Sequence, residues 1–230
     1  MLNGVMKVDK IVKKAKELGM PSVALTDNGS MYPAVSFFQK CTGEGVKPIF
    51  GVQVNISPRS RFDKEPKKDE KTHELVLLAK NLEGYHNIIK LISKGHLEGF
   101  YYKPRIDNEV LEEHKDGLIV LSGGENGEIF KNYYLGNEEQ AKEIAANYKR
   151  IFGEDFYLEV QRTGIHAEEV VELKLKELGK ELGIELVATN NTYYEKEEDA
   201  EIREVLWCID GGRLMSDPSR RKPESNQNYF

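Results

Sequence analysis

The sequence has few of the features that mark secreted, membrane-bound or cysteine-rich proteins. Its 230 residues include two cysteines, Cys41 and Cys208, which are far apart and form no CxxC pair. This argues against a disulfide framework and against a cysteine zinc site, and it makes a reducing cytoplasm the simplest compartment. No apolar run reaches the length of a membrane span, and lysines interrupt the apolar pattern near the amino terminus. We therefore expect neither export nor a membrane.

Positive charge is also in short supply. The chain has 33 Lys and Arg residues against 39 Asp and Glu residues, a net charge of −6. This balance argues against the chain as a whole being a nucleic-acid-binding surface. The lysine-rich stretch 58–71 also contains Asp69 and Glu70 and has no periodicity, which predicts an exposed, solvated loop. Neither a GxGxxG motif nor a Walker loop is present, so a nucleotide-binding sheet is not indicated.

What the sequence does contain is a regular alternation of apolar runs with helical patterns. A hydrophobic content of 39% supports a packed core, and the length suits one large domain. The runs predicted as strands are 22–27, 47–56, 74–79, 117–122, 156–160 and 185–190. Because strands that alternate with helices form parallel sheets, and because the units are numerous, we expect an α/β barrel.

The carboxyl-terminal part divides into a last helix and an irregular tail. The helix has an acidic start and an apolar face that includes Ile202, Val205, Leu206 and Ile209. Residues 211–230 are rich in Arg, Asp, Pro, Ser and Asn and show neither period. We predict a barrel domain over residues 1–210 and a linker or docking tail over residues 211–230.

A polar turn follows the first predicted strand. The apolar run 22–25 ends in Asp27, Asn28 and Gly29, and a helical pattern follows. Loops at the carboxyl ends of strands gather functional side chains in α/β folds, so Asp27 is a candidate metal ligand. The competing interpretation, which we favour, is a strand-end Asp that accepts backbone hydrogen bonds in the turn.

Seven stretches of the chain form an ordered set of motifs. The most distinctive is 99–107, Gly-Phe-Tyr-Tyr-Lys-Pro-Arg-Ile-Asp, and the others begin at Ala15, Leu25, Lys47, Leu75, Phe156 and Leu186. Together they resemble the PHP (polymerase and histidinol phosphatase) domain at the amino terminus of bacterial DNA polymerase III alpha subunits, from about Asn3 to the last residue. The resemblance implies a PHP-type distorted (β/α)7 TIM-like barrel that lacks its first strand here.

The resemblance also implies a cluster of metals, Zn, Mn or Mg, at the strand ends. His, Asp, Glu and sometimes Cys hold such metals, which activate a bridging water and bind phosphate oxygens. The first two ligands, a His-x-His pair, are expected just before Leu2, and the chain begins at Met1 without them.

At the other ligand positions this sequence departs from the family pattern. Asp27 keeps the carboxylate that the family has at this position. Imidazole ligands of the family are replaced by Asn28, Thr163 and Tyr193. Its glutamate is replaced by Gln53, its cysteine by Gly124 and a further carboxylate by Asn191. A further histidine is expected at His73, although the register places Glu74 there. The positions of the former metal site are therefore Asp27, Asn28, Gln53, His73, Glu74, Gly124, Thr163, Asn191 and Tyr193. We expect no metal, with Asp27 as the best candidate ligand, since one carboxylate cannot hold a multi-metal cluster.

Several polar residues have two possible roles. We interpret Asn28, Gln53, Asn191 and Tyr193 as a hydrogen-bonded network that fills the former metal cavity, rather than as a polar pocket. Lys103 and Arg105 either contact a phosphate or a partner domain or anchor their loop by ion pairs, and the sequence does not decide between these roles. The remaining histidines, predicted to be solvated and away from strand tips, are His86, His96, His114 and His166.

The function implied by the resemblance is that of a degenerate barrel within a polymerase alpha subunit in the bacterial cytoplasm. Such a domain supports the remainder of that subunit, docks a proofreading exonuclease and meets DNA through the parent polymerase. The alternatives are a metal-dependent phosphoesterase or 3′-5′ exonuclease that uses Asp27, and a small-molecule-binding module at the barrel mouth. Bound metal would favour the first alternative, and a bound anion in an open pocket would favour the second.

The missing first strand leads to one further expectation. A barrel without it has two unpaired strand edges. We therefore predict that the amino terminus is replaced, capped by a neighbouring molecule or left as a gap.

Overall fold

The computed structural model describes residues 4–223 and 225–230. Residues 1–3, beside which the first strand was expected to end, lie outside the described residues. The helices are α1 (Val8–Glu17), α2 (Ala34–Glu44), α3 (Leu82–Leu97), α4 (Asn108–Glu113), α5 (Glu128–Tyr134), α6 (Glu138–Phe152), α7 (His166–Leu182) and α8 (Ala200–Asp210). The strands are β1 (Ser22–Leu25), β2 (Lys47–Ile56), β3 (His73–Ala79), β4 (Leu118–Leu121), β5 (Phe156–Val160) and β6 (Leu186–Ala188).

The six strands form one sheet in sequence order. Strand β1 is parallel to β2, and β4, β5 and β6 are parallel to one another, but β3 is antiparallel to both β2 and β4. The expectation of a wholly parallel sheet was therefore wrong at β3. The physical reason is the connection: no helix lies between β2 and β3, so the chain does not cross back before it pairs.

The reversal of β3 decides which residues meet at one end of the sheet. Ile56, the last residue of β2, pairs with His73, the first residue of β3. The amino-terminal end of β3 thus lies beside the carboxyl-terminal ends of the other strands. Residues that follow β1, β5 and β6 line the same cavity as residues of β2 and β3, so the sheet is curled.

The edges of the curled sheet are β1 and β6. None of the residues in these two strands is fully buried, whereas each of the four strands between them contributes buried residues. The described residues include no seventh strand. Near this opening the Val5 backbone N–H donates to the Tyr193 carbonyl at 2.8 Å. The segment that follows residue 3 therefore lies beside the residues that follow β6.

The main core lies between the sheet and helices α3, α6 and α7. Leu77, Val120 and Leu158 of three central strands are inaccessible to solvent, as are Leu91 of α3 and Ala145 of α6. Burial of such side chains contributes about 1.5 to 3 kcal/mol each and fixes the strands that carry the cavity. Within the described residues, no helix combines the length and the apolar character that a membrane crossing requires.

The lysine-rich loop is not simply a solvated loop. Arg61 and Asp69 in it are buried, and Arg61 Nη1 lies 3.0 Å from Asp107 Oδ1. Arg59 pairs with Asp69 at 2.6 Å. The expectation of an exposed loop was therefore wrong at these residues, because charges of opposite sign within the loop and on the 99–107 motif satisfy one another.

Arg105 fastens this loop to the domain. Its side chain is 1% exposed, and its Nε donates to the Gly99 carbonyl at 2.9 Å. Nη1 donates to the Asp69 carbonyl at 2.9 Å, and Nη2 donates to the carbonyls of Asp63 and Arg61 at 2.8 and 3.2 Å. The guanidinium thus donates to backbone carbonyls rather than to carboxylates. Asp107, at the end of the same motif, caps α4 by accepting from the Val110 N–H at 3.1 Å.

Candidate functional site

A polar cavity of about 290 Å³ lies at the strand ends where β3 meets its neighbours. Six of the sequence-predicted positions line it, namely Asn28, Gln53, Glu74, Thr163, Asn191 and Tyr193. Gly124 borders a smaller recess next to it, whereas Asp27 and His73 are not among the lining residues. The expectation that amides fill the space was wrong, because the side chains bond along the walls and leave the centre open.

The wall formed by β1 and β2 is held by backbone pairing. The Gln53 N–H donates to the Asp27 carbonyl at 3.1 Å, and the Gly29 N–H donates to the Gln53 carbonyl at 2.8 Å. Gly29 has a φ of 63°, a conformation that glycine adopts without strain. The Asp27 residue is exposed overall, although partial burial of its carboxyl raises the pKa of that group, and its backbone rather than its carboxylate makes these bonds.

Side-chain amides on this wall pair with their neighbours. Gln53 Nε2 donates to the Glu74 carboxylate, and Asn55 Nδ2 donates to Asn28 Oδ1 at 3.4 Å. Asn55, which is 1% exposed, also donates to the Pro104 carbonyl at 3.2 Å. The amide donors of Gln53 and Asn55 are thus used within the protein, so these side chains act as structural groups in the wall.

On the opposite side, Gln161 lines the cavity, and its neighbour Glu159, which the sequence did not single out, lines the smaller recess. Its carboxylate is 3% exposed and accepts from the Gly123 N–H at 3.0 Å and from Gln161 Nε2 at 3.1 Å. Thr189 Oγ1 also donates to it. These bonds tie the ends of β4, β5 and β6 together. The available signal was a charged residue within an apolar strand, which is rarely buried unless it is paired.

Close approach of β3 and β4 depends on Gly123. Its φ is 88°, and a Cβ at this position would lie 1.9 Å from the Glu74 carbonyl oxygen. No other residue fits this turn without moving one of the two strands. Gly124, where the family resemblance implies a cysteine, packs against Gln161, so an amide lies where that thiol was expected.

Thr163 has become part of a helix terminus. Its N–H donates to Glu168 Oε2 at 2.7 Å, and its hydroxyl donates to Glu168 Oε1 at 2.9 Å. Ser225 of the tail donates to the Thr163 carbonyl. Where the family resemblance implies an imidazole, this chain has a threonine whose polar groups join α7 to the tail.

The third side of the cavity is a stack of aromatic and cationic groups. The Arg203 guanidinium lies 3.5 Å from the ring centre of Tyr193 and 4.5 Å from that of Trp207. Arg221 covers Trp207 at 3.9 Å. Arg203 Nη1 also donates to Asn228 Oδ1 at 3.2 Å. Arg203 is 5% exposed, and cation–π contacts are stronger when they are desolvated. The same burial lowers the pKa of Arg203.

The tail crosses the cavity mouth beside this stack. The Tyr193 N–H donates to the Asn228 carbonyl at 2.9 Å, and Asn190 Nδ2 donates to the Tyr229 carbonyl at 2.7 Å. Tyr194 and Tyr229 form a parallel bridge. Residues 225–229 therefore supply part of the site, a feature that the irregular tail sequence gave no pattern to predict.

His73 points away from the cavity because successive residues of a strand face opposite sides. Its Nε2 lies 4.0 Å from Glu128 Oε1, and its buried Nδ1 meets no hydrogen-bond partner among the described residues. Burial, with a smaller contribution from the positive charge of Lys131, lowers the pKa of His73 to about 4. Burial also raises the pKa of Glu128 and lowers that of Lys103.

This low pKa of His73 predicts a pH-dependent stability. The folded state favours the neutral imidazole, so unfolding takes up a proton between the folded value of about 4 and the ordinary value of 6.5. Stability should therefore fall as the pH is lowered through that window. We expect His73→Gln to lose less stability between pH 6.5 and pH 4 than the wild type in urea unfolding. His166→Gln changes a side chain that is 87% exposed, so its stability should depend on pH as that of the wild type does. If the stability of His73→Gln fell with pH as much as that of the wild type, the low pKa of His73 would be contradicted.

Of the other histidines, His114 and His96 differ from expectation. The Nε2 atom of His114 is buried without a hydrogen-bond partner among the described residues, and burial lowers the pKa of this histidine, so it is not solvated as predicted. The difference at His96 is one of position. Its Nε2 lies 3.0 Å from the Gly29 carbonyl oxygen, so it contacts the turn after β1 although it was predicted to lie away from strand tips. Helix α3 places His96 beside this turn. Helical periodicity in the sequence does not show which strand end a helix faces, so this contact could not be predicted.

The residues around the cavity do not fit a metal cluster. Among residues 4–223 and 225–230, no group of three or more His, Cys, Asp or Glu side chains is placed to hold a metal ion. The six predicted positions on the cavity wall carry mainly amide, hydroxyl and phenol groups, and Arg203 adds a buried positive charge. Divalent cations need several anionic or imidazole donors that converge, which this arrangement does not offer.

Comparison with known proteins identifies relatives of the whole chain. The family model described as the PHP domain matches residues 1–163. The chain is 39% identical over 231 residues to the DNA polymerase III subunit alpha of Borreliella burgdorferi, covering 100% of the chain and 20% of that protein. It is 40% identical over 225 residues to the subunit alpha of Thermus aquaticus, covering 96% of the chain and 18% of that protein. The chain thus spans about a fifth of the length of these curated relatives.

A solved structure shares the fold. It is a putative metal-dependent phosphoesterase from Bifidobacterium adolescentis, with a TM-score of 0.53, 11% identity and 82% coverage of both chains. At this identity the likeness concerns the fold alone. The chain is therefore a mixed α/β protein with a curled sheet of the kind found in that structure.

Proposed function

The chain belongs to the PHP domain family, and we propose that it acts as a structural domain of a bacterial replicative DNA polymerase alpha subunit. In this proposal the former metal site no longer performs hydrolysis. The observation that supports this proposal is the chemistry of the cavity wall. Of the six former ligand positions that line it, three carry amides, one carries a hydroxyl and one a phenol. Glu74 is the one acid among the six. Most of these groups are poor ligands for a hydrolytic metal pair.

The architecture fits a PHP-type distorted (β/α)7 TIM-like barrel with one strand missing between β1 and β6. The lack of buried residues in these edge strands supports this proposal, because an added strand would cover both. We also propose the division into a barrel domain over residues 1–210 and, over residues 211–230, a linker or docking tail that leads toward the remainder of the polymerase. The bonds from residues 225–229 to the cavity mouth support a tail that docks on its own domain.

The proposed partners follow from the relatives. The remainder of the alpha subunit is the first, since the curated relatives are about five times longer than the chain. A proofreading exonuclease and, through the parent polymerase, DNA are the others, in the bacterial cytoplasm. The net charge of −6 supports an indirect rather than a direct contact with DNA.

The experiment is hydrolysis of a model phosphodiester by the purified chain with added Zn²⁺ or Mn²⁺. The proposal expects no turnover above the metal alone. Chelator-sensitive turnover that Asp27→Asn or Glu74→Gln abolishes would instead support the metal-dependent phosphoesterase or exonuclease.

A further inference from the structure

Helix α8 has apolar side chains on the face that points away from the protein. Ile202, Val205 and Ile209 are 46%, 37% and 63% exposed, and Leu206 is half-buried. Spacings of three and four residues place these side chains in one row along the helix. This row, here called the outer stripe, is the same apolar face that the sequence indicates. Contiguous exposed apolar surface on a soluble domain marks an interaction site.

The opposite face of α8 is held in place. Arg203 and Cys208 are 5% and 4% exposed, and Arg203 is stacked between Tyr193 and Trp207. Arg220 of the tail pairs with Glu204 at 2.5 Å. Rotation of α8 to bury the outer stripe would pull Arg203 out of its stack. The stripe is therefore a stable part of the surface.

Two exposed acids border the outer stripe. At 100° per residue, Glu201 lies about a quarter turn to one side of the stripe and Asp210 about a quarter turn to the other. Neither carboxylate takes part in an ion pair within the part of the chain that the structure describes. A second copy of the chain would bring like charges together across the stripe, whereas a partner with basic residues beside its apolar side chains would gain opposite charges.

We propose that the outer stripe of α8 binds an amphipathic helix that carries Lys or Arg beside its apolar row, and that this helix belongs to the remainder of the polymerase polypeptide. The row spacing suits ridge-into-groove packing of two helices. The inference rests on the proposed function, since it needs the longer polypeptide of which the curated relatives are examples.

The test uses the full-length polypeptide with the photoreactive residue p-benzoylphenylalanine in place of Val205. The matched control carries it in place of Val170, an exposed valine of α7 that is 50% accessible. Mass spectrometry should find cross-links from position 205 to a basic amphipathic helix beyond this domain, and none to that helix from position 170. Glu201→Lys with Asp210→Lys should lower the cross-link yield by roughly tenfold, and Glu201→Gln with Asp210→Asn by less.

Other results would overturn the inference. Cross-links from position 205 to a second copy, to a segment that precedes this domain or to no polypeptide segment would each do so. If the Glu201→Lys and Asp210→Lys substitutions left the cross-link yield unchanged, Glu201 and Asp210 would have no role in binding the helix. If the gene encodes no further polymerase sequence, the proposed function fails as well, which separates that failure from an error about α8 alone.

Discussion

Arg105→Met is expected to lower the free energy of unfolding by about 4 kcal/mol, among the larger effects for a single residue. The substitution keeps the apolar stem but removes a buried guanidinium that donates to four backbone carbonyls. Three of these bonds are buried and the one to Asp63 is part-buried, so most of the carbonyls would lose their donor away from solvent, at a cost of about 1 to 3 kcal/mol each. Loop 57–72 would lose its fastening to the 99–107 motif, so its backbone amides should exchange with solvent faster.

Equilibrium urea unfolding monitored by circular dichroism measures this effect. Lys103→Met is the matched control. Lys103 lies two residues away and is half-buried, and its ammonium group donates to no residue in the described chain. Its expected change is less than about 1 kcal/mol. Arg105→Lys should recover only part of the loss, because an ammonium group cannot reach four carbonyls with the planar fork of arginine. Equal stability of Arg105→Met and Lys103→Met would contradict a structural role for Arg105.

Glu159→Ala is expected to lower the free energy of unfolding by about 3 kcal/mol. The Gly123 N–H, Gln161 Nε2 and Thr189 Oγ1 would all lose the acceptor that the buried Glu159 provides. Glu159→Gln keeps the shape and one carbonyl oxygen, so it should cost about half as much. Fluorescence of the single Trp207 in the same urea titration reports on the cavity side of the molecule.

The matched comparison for Glu159 is Glu154, which is 88% exposed and pairs with Lys149 on the surface. Glu154→Ala should change stability by less than about 0.5 kcal/mol. A loss for Glu159→Ala no larger than that for Glu154→Ala would show that the Glu159 carboxylate does not hold β4, β5 and β6 together.

Much of the fold could be predicted from sequence patterns, because each strand has a dense apolar run bounded by polar or turn residues. The direction of β3 could not, since period-two burial is the same for either direction of a strand. Helices α4 and α5 could not be predicted either, because their six and seven residues are too few for a clear helical period. The apolar face of α8 was recognised, but periodicity does not say whether such a face meets the core or a partner.

The candidate site was predictable where family resemblance supplied positions. Asn28, Gln53, Glu74, Thr163, Asn191 and Tyr193 do meet at one cavity. Arg203 could not be assigned to it from sequence, because only the fold shows that α8 turns this side chain toward Tyr193. Asp27 was identified as the leading acid from its place after a strand, yet it is not among the residues that line the cavity.

Metal retention by the purified chain tests the central claim most directly. The chain would be dialysed against micromolar Zn²⁺ and Mn²⁺, freed of unbound metal and assayed by elemental analysis. We expect less than about 0.1 metal ion per chain, because the residues that line the cavity offer too few anionic or imidazole donors. Two or more ions per chain, lost in Glu74→Gln but retained in Glu154→Gln, would contradict a degenerate site and restore the metal-dependent phosphoesterase.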